Sequence, residues 1–257
     1  MQRLINARIA KAYRTVSNEA LRVIAGIRPI HIKIEEAGRY YEITKGNGIQ
    51  YDREKEVKNL VHRAKHVKII EGHENSPHYI PAYTDGSKSD SGVGSGIAIF
   101  SDNNLTATLK YRLNGRCSNN QAGQVAILKA SEYIQYSKAD KKTVLLYTDS
   151  RITLKLLQNQ KKHTHIIEQI RTKVIEMEQQ DWIVEFNWIK AHAGNRGNEQ
   201  ADQMAKEAIS SKTIEECYTR IPKSAVWREL NEQSVKQWQN EWQRSSKGVI
   251  TKSFSQK

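Results

Sequence analysis

Cysteine is scarce: the 257-residue chain holds two, Cys117 and Cys217, one hundred residues apart. That excludes a disulfide framework and a thiolate metal site, and it suits a reducing intracellular compartment, nuclear or cytoplasmic, rather than secretion. Long apolar runs are missing too. None approaches the ~20 residues that a membrane span needs, and the first residues lack a secretory apolar region, so no membrane association is expected. The opening MQRLINARIAKAYRTV is basic and free of acids, like a mitochondrial presequence, but it runs into a further helical segment without a processing-like break. Internal repeats, low-complexity tracts and the zinc-protease pattern HExxH are absent. No Ser-His-Asp or Cys-His set has a supporting context.

Acids are also short. Lys and Arg number 41 against 28 Asp and Glu, giving a net charge of +13. The excess is spread, +6 over residues 1–80, +3 over 81–210 and +4 over 211–257, so no single basic tail accounts for it. Such a balance fits a protein that meets phosphates, and it fits simple basic solubility equally well. With 38% hydrophobic residues, the chain can bury a sizeable core in one principal domain with flanks.

The pattern divides into a helical flank over 1–80, an α/β domain over 81–210 and a C-terminal extension over 211–257. In the first part, apolar residues recur at helical spacing from Leu4 to Ala25, with a break before Ser17, a predicted N-cap, and a stop at Gly26 and Pro29. Residues 52–69 read as another amphipathic helix. In the middle part, IPAYTD, GVGSGIAIF and LTATLKYRL read as an antiparallel meander. A helix over 120–135, the strand TVLLYTD, helices over 150–157 and 165–179, the strand WIVEFNWI and a helix over 198–209 follow. The order β-β-β-α-β-α-α-β-α predicts a five-stranded mixed sheet with helices. Residues 224–243 read as a helix carrying Trp227, Trp238 and Trp242.

Three aspartates stand where such a domain builds sites. Asp85, in YTDGS, and Asp149, in LLYTDS, are each expected to end a short β-rich run, and Asp202 to lie on the last helix. Singly, each reads as well as a structural carboxylate; Asp202 in particular has Lys206 four residues on. Their contexts are more specific. YTDGS, TDS and HAGNRGNEQAD, with His192 ten residues before Asp202, occur in that order in a matching series of elements. This combination resembles a type 1-like ribonuclease H domain, over residues 81–210. The flanking KAYRTVSNEALRVIAGIRPI and WQNEWQRSSKGVITKSF are similar to the segments around ribonuclease H in jockey- and I-type non-LTR retrotransposon polyproteins. No YADD or YVDD polymerase motif occurs in these residues.

The resemblance implies hydrolysis of the RNA strand of an RNA–DNA hybrid, with two Mg²⁺ ions ~4 Å apart, Mn²⁺ serving as a substitute. It implies Asp85, Asp149 and Asp202 as metal ligands, His192 as an aid to proton transfer or product release, and Asn119, Asn120, Gln121 and Asn198 as contacts to nucleic acid. Asn119 and Asn198 read equally well as helix caps. An upstream reverse transcriptase domain is the implied neighbour in the intact element.

One member of the set is missing. The fourth carboxylate of the family is expected in SNNQAGQVAILKA, at the position held by Gly123. Glu132 lies nine residues on, ~13 Å away and half a turn round, so it faces elsewhere. Asp90, in the turn after the first strand, has no support from spacing. The expectation is an impaired ribonuclease H, with a weak or inactive hybrid-binding or other nucleic-acid-binding module as the alternative, and a transposase, integrase or exonuclease on the same fold as a third reading.

Other features have plainer readings. GVGSG is a glycine-rich strand rather than a phosphate loop, because no helix follows it. His62 and His66, four apart on a predicted helix, lack further zinc ligands. His163 and His165 read as surface residues, Trp238 and Trp242 as packing anchors, and Lys161, Lys162 and Lys190 by default as a solvated lysine face, with a contribution to a hybrid-binding surface as the alternative.

Overall fold

The computed structural model describes residues 2–13, 15–45, 62–70, 79–137, 141–211, 213–248 and 251–252. In chain order they form α1 (Gln2–Ile9), α2 (Asn18–Ala25), α3 (Ile30–Lys45), a 3₁₀ turn (Arg63–His66) and β1 (Lys68–Ile70). Next come β2 (Ile80–Ser89), β3 (Gly92–Ser101), β4 (Asn104–Leu113), α4 (Asn119–Gln135) and β5 (Thr143–Thr148). The chain continues through α5 (Arg151–Gln158), α6 (His165–Glu178), β6 (Ile183–Trp188), α7 (Arg196–Ser210), β7 (Glu216–Tyr218) and α8 (Lys223–Arg244). Two units result, one from residues 1–49 with 223–257, the other from residues 50–222. Among the described residues no helix is long and apolar enough to cross a membrane.

The first unit is helical. Ser17 caps α2 by accepting from the Ala20 amide at 3.2 Å, and Gly26 closes the helix in the left-handed conformation at φ +64°. Helix α3 is new to the sequence reading, since the alternation of Ile30, Ile32 and Ile34 conceals a helical period. It packs on α8, where Arg28 joins Glu36 (2.9 Å) to the Asn231 side chain (2.7 Å).

The second unit is a seven-stranded sheet in the order β1-β6-β5-β2-β3-β4-β7. Strands β2, β3 and β4 form the expected antiparallel meander, while β5 and β6 add in parallel beside β2. The predicted five strands are therefore corrected to seven. Each edge gains a parallel three-residue strand: β1 beside β6 and β7 beside β4. Strands this short show no alternation, so pairing rather than sequence pattern reveals them. The helix expected over 52–69 is also corrected. Residues 52–61 lie outside the described residues, and 62–70 form the 3₁₀ turn and β1.

Both faces of the sheet are covered. On one, Val125, Ile134, Leu157, Ile170 and Val174 of α4, α5 and α6 pack with Ala82, Ile97, Leu146 and Phe186 of the strands. On the other, Tyr83, Ala98, Phe100, Leu145 and Tyr147 pack with Ala201 of α7. The GVGSG run lies within β3, and its glycines serve packing. A Cβ on Gly96 would collide with the Ala201 carbonyl, and one on Gly94 would lie 3.0 Å from the Ala208 methyl. Their bareness lets α7 settle on the sheet.

Candidate active site

Parallel pairing places Tyr83 beside Tyr147 and Thr84 beside Thr148, so Asp85 and Asp149 are the next residues along two neighbouring strands. Asp149 leaves β5 as predicted. Asp85 does not end its strand: β2 runs four residues further and pairs through Gly86, Ser87, Lys88 and Ser89 with Gly92–Ser95. Those residues have poor strand propensity, and the hairpin register overrides it. Asp85 faces Gly96 across the hairpin, and the bare Gly96 admits α7 at Ala201. Asp202, next in sequence, is thereby brought near enough for its charge to act on Asp85 and Asp149, although it lines a different depression.

The electrostatics record that proximity. Asp85 is only 8% exposed. Burial, followed by the charge of Asp149 and then that of Asp202, pushes its carboxyl up to about 7, against a hydrogen bond from the Gly86 amide at 2.7 Å. Burial and Asp202 raise Asp149 as well, while His192 pulls it back. His192 is exposed, at φ +50° in the loop before α7.

A cavity of about 620 Å³ opens over this point, lined by Asp85, Gly86, Asn119, Asn120, Gly123 and Asp149, with Ser150, Arg151, Ile152, Trp188 and Lys190 completing it. It lies at the carboxyl end of β5, between strands whose connections leave in opposite directions, the usual place for a site in an open α/β sheet. Arg151, Ile152 and Trp188 are additions to the sequence reading. The signal available for them was adjacency, Arg151 to TDS and Trp188 to IKAHAG. Trp188 donates its indole N–H to the Asp149 carbonyl at 2.9 Å, and the Arg151 guanidinium lies over its ring at 3.7 Å from the centroid.

Other expected residues lie around this cavity in different ways. Asp202 lines a separate surface depression with Lys110, Gln203 and Lys206, and accepts from Lys206 Nζ at 2.6 Å. Gln121 is buried: it closes the capping box of α4 with Ser118 and donates to the Arg220 carbonyl at 3.1 Å. The cap of α4 is thus Ser118, and Asn119 is left to face the cavity. The cap of α7 is Asn195, which accepts from the Gly197 and Asn198 amides. Asn198 is buried, with its Oδ1 unpaired.

Among the described residues no three His, Cys, Asp or Glu side chains are grouped closely enough to enclose a metal ion. What faces the cavity is the pair Asp85 and Asp149. By donor chemistry it fits one hard divalent cation, because such an ion neutralises two adjacent carboxylates, of which Asp85 is raised by its own burial and by the charge of Asp149. At Gly123, where the resemblance led to the expectation of a fourth carboxylate, there is room for a side chain: a Cβ there meets nothing within 4 Å. His62, which caps the 3₁₀ turn, and His66, which ends it, find separate partners: the Ala64 amide for His62 and the Glu178 carboxylate for His66. His163, read as a surface residue, is in fact tucked against His62 and paired with Glu168 at 3.1 Å.

Residues 77–210 match the RNase H family model, and this span is just over half of the chain. The chain belongs to the ribonuclease H family. Ribonuclease H of Francisella tularensis subsp. novicida is 30% identical over 141 residues, covering 50% of this chain and 90% of that protein. The likeness extends to solved structures. RNase H1 from the halophilic archaeon Halobacterium salinarum aligns at 21% identity and a TM-score of 0.41, over 51% of this chain and 98% of that one. LC11-RNase H1, solved in complex with an RNA/DNA hybrid, aligns at 19% identity and 0.41, over 51% and 99%.

Proposed function

We propose that this ribonuclease H domain hydrolyses the RNA strand of RNA–DNA hybrids, at a rate lowered by the absence of a carboxylate at Gly123. The observation that carries the reading is the shared cavity of Asp85, Asp149 and Gly123, roofed by two asparagines and flanked by Arg151 and Lys190. Asp85 and Asp149 would hold a divalent cation such as Mg²⁺ or Mn²⁺, with Asp202 contributing once released from Lys206. When bound, that ion supplies Lewis-acid stabilisation of charge on the scissile phosphate. Of the two ions that the resemblance implies, the second is weakened by Gly123.

The remaining residues act on the strand itself. Asn119 and Asn120 offer amides to sugar edges, where the 2′-hydroxyl distinguishes RNA from DNA. Arg151 and Lys190 neutralise phosphates. His192, on its exposed loop near Asp149, moves protons at the leaving oxygen or assists product release. The flanking sequences support placing the chain in a jockey- or I-type retrotransposon polyprotein, downstream of a reverse transcriptase domain. The ion pair of Lys206 with Asp202 favours one second reading, a hybrid-binding module with little turnover.

The test is cleavage of a labelled RNA–DNA hybrid in Mg²⁺ or Mn²⁺ by the parent and by Gly123→Glu. The variant is expected to be at least about tenfold faster, which corresponds to ~1.4 kcal/mol of transition-state stabilisation. A variant no faster than the parent sinks the missing-carboxylate argument.

A further inference from the structure

A second groove, of about 540 Å³, adjoins the carboxylate cavity. The two share Arg151 and Trp188, one stacked on the other. Beyond this partition the groove is lined by Lys155, Gln158 and Asn187, with Leu154 and the β1 residues Ile69 and Ile70 as an apolar wall. Arg151, Lys155 and Gln158 stand at i, i+4 and i+7 of α5, which puts them on one helix face, and all three are exposed. Among the described residues no carboxylate lines it.

This composition selects a ligand class. Two cations without an anion, on a chain of net charge +13, complement a polyanion. The apolar wall suits the flat faces of bases that are not paired, whereas a paired duplex presents phosphates and base edges but no faces. The Trp188 side of the partition is anchored, because its indole N–H donates to the Asp149 carbonyl at 2.9 Å. A strand leaving the cavity past Arg151 would therefore enter the groove without crossing a gap.

We propose that this groove binds the single-stranded extension of a nucleic acid whose paired part occupies the carboxylate cavity. Arg151 holds the phosphate at the junction, and Lys155 with Gln158 holds the next portion of the backbone. The inference rests on the hybrid reading above, but its residues Lys155 and Gln158 lie outside the carboxylate cavity, so the two can fail separately.

The test compares binding of three probes to the full chain at low salt: a blunt RNA–DNA hybrid, and the same hybrid with a single-stranded RNA or DNA extension. An extended probe is expected to bind about tenfold tighter than the blunt one, and the advantage should shrink as salt rises. The double variant K155E/Q158E, checked for an unchanged thermal melt, should lose the advantage and keep the blunt affinity. Equal affinity for all three probes overturns the proposal, as does an advantage that survives in the variant. If the blunt hybrid does not bind at all, the hybrid reading fails; a free single-stranded oligonucleotide then decides the groove. Binding by the parent that K155E/Q158E abolishes upholds it, and no binding, or equal binding by both proteins, overturns it.

Discussion

Gly86 of β2 lies directly against the backbone of Gly123 in α4: a Cβ on Gly86 would collide with the Gly123 nitrogen, while a Cβ on Gly123 would enter open space. Strand and helix thus meet at a point that tolerates a side chain on one partner and forbids it on the other. The contact brings the helix that carries Gly123 to the strand that carries Asp85.

Gly86→Ala is expected to destabilise the fold by about 1–3 kcal/mol, the usual cost of overpacking. Its new methyl would lie 2.8 Å from the Ala122 methyl, and backbone must move to relieve it. Gly115→Ala, where a Cβ meets nothing within 4 Å, is the control. Urea denaturation of the two variants checks this, and equal midpoints would refute it.

Substitution at Gly123 should run the other way. Gly123→Ala replaces a helical glycine and should stabilise by up to ~1 kcal/mol. Gly123→Glu shares that gain but adds a carboxylate beside Asp85, so its thermal midpoint should respond to Mg²⁺ more strongly than the parent's. Melting curves with and without Mg²⁺ separate the two, and an identical Mg²⁺ response in parent and Gly123→Glu counts against the carboxylate's place.

Asp85 predicts a pH dependence. Its native value, about 7, exceeds the ordinary 3.8, so between the two the native state holds a proton that the unfolded chain has released. Stability without divalent ions therefore falls as pH rises through this window, and the full penalty is present above it. The urea midpoint should be lower at about pH 8 than at about pH 5, and Asp85→Asn should flatten the slope. An unchanged slope in Asp85→Asn would assign the effect elsewhere.

Arg171 is fully buried and paired with Glu168, and it donates to the carbonyls of Leu156, Leu157, Asn159 and Lys162. It fixes the turn between α5 and α6 from below. Arg171→Leu leaves Glu168 buried beside weaker partners and should cost about 3–5 kcal/mol. Calorimetry of the variant is the measurement, and a loss under about 1 kcal/mol would be at odds with the pair's burial.

Much of this was legible in the sequence because local signals and tertiary demands agree. The meander, the helices of the α/β unit and the Ser17 cap follow from periodicity and capping chemistry. Three kinds of feature were concealed. Strands β1 and β7 exist through their partners; the extension of β2 beyond Asp85 follows hairpin register against propensity; and the Arg151–Trp188 stack joins residues 37 positions apart. For the site, the motifs of Asp85 and Asp149 lead to one cavity, while Asp202 lines a different depression. The attachment of Asp202 to Lys206 and the burial of Gln121 depend on packing that no motif encodes.

The short edge strands bear on how this domain is handled in isolation. Strand β1 covers Glu185, Phe186 and Asn187 of β6, and β7 covers Arg112 and Leu113 of β4. Trimming the protein to residues 77–210, the span of the family match, removes both and leaves two rows of unpaired amides and carbonyls open to other chains. Aggregation of that trimmed piece would then reflect the cut, and recombinant boundaries belong outside Lys68 and Tyr218.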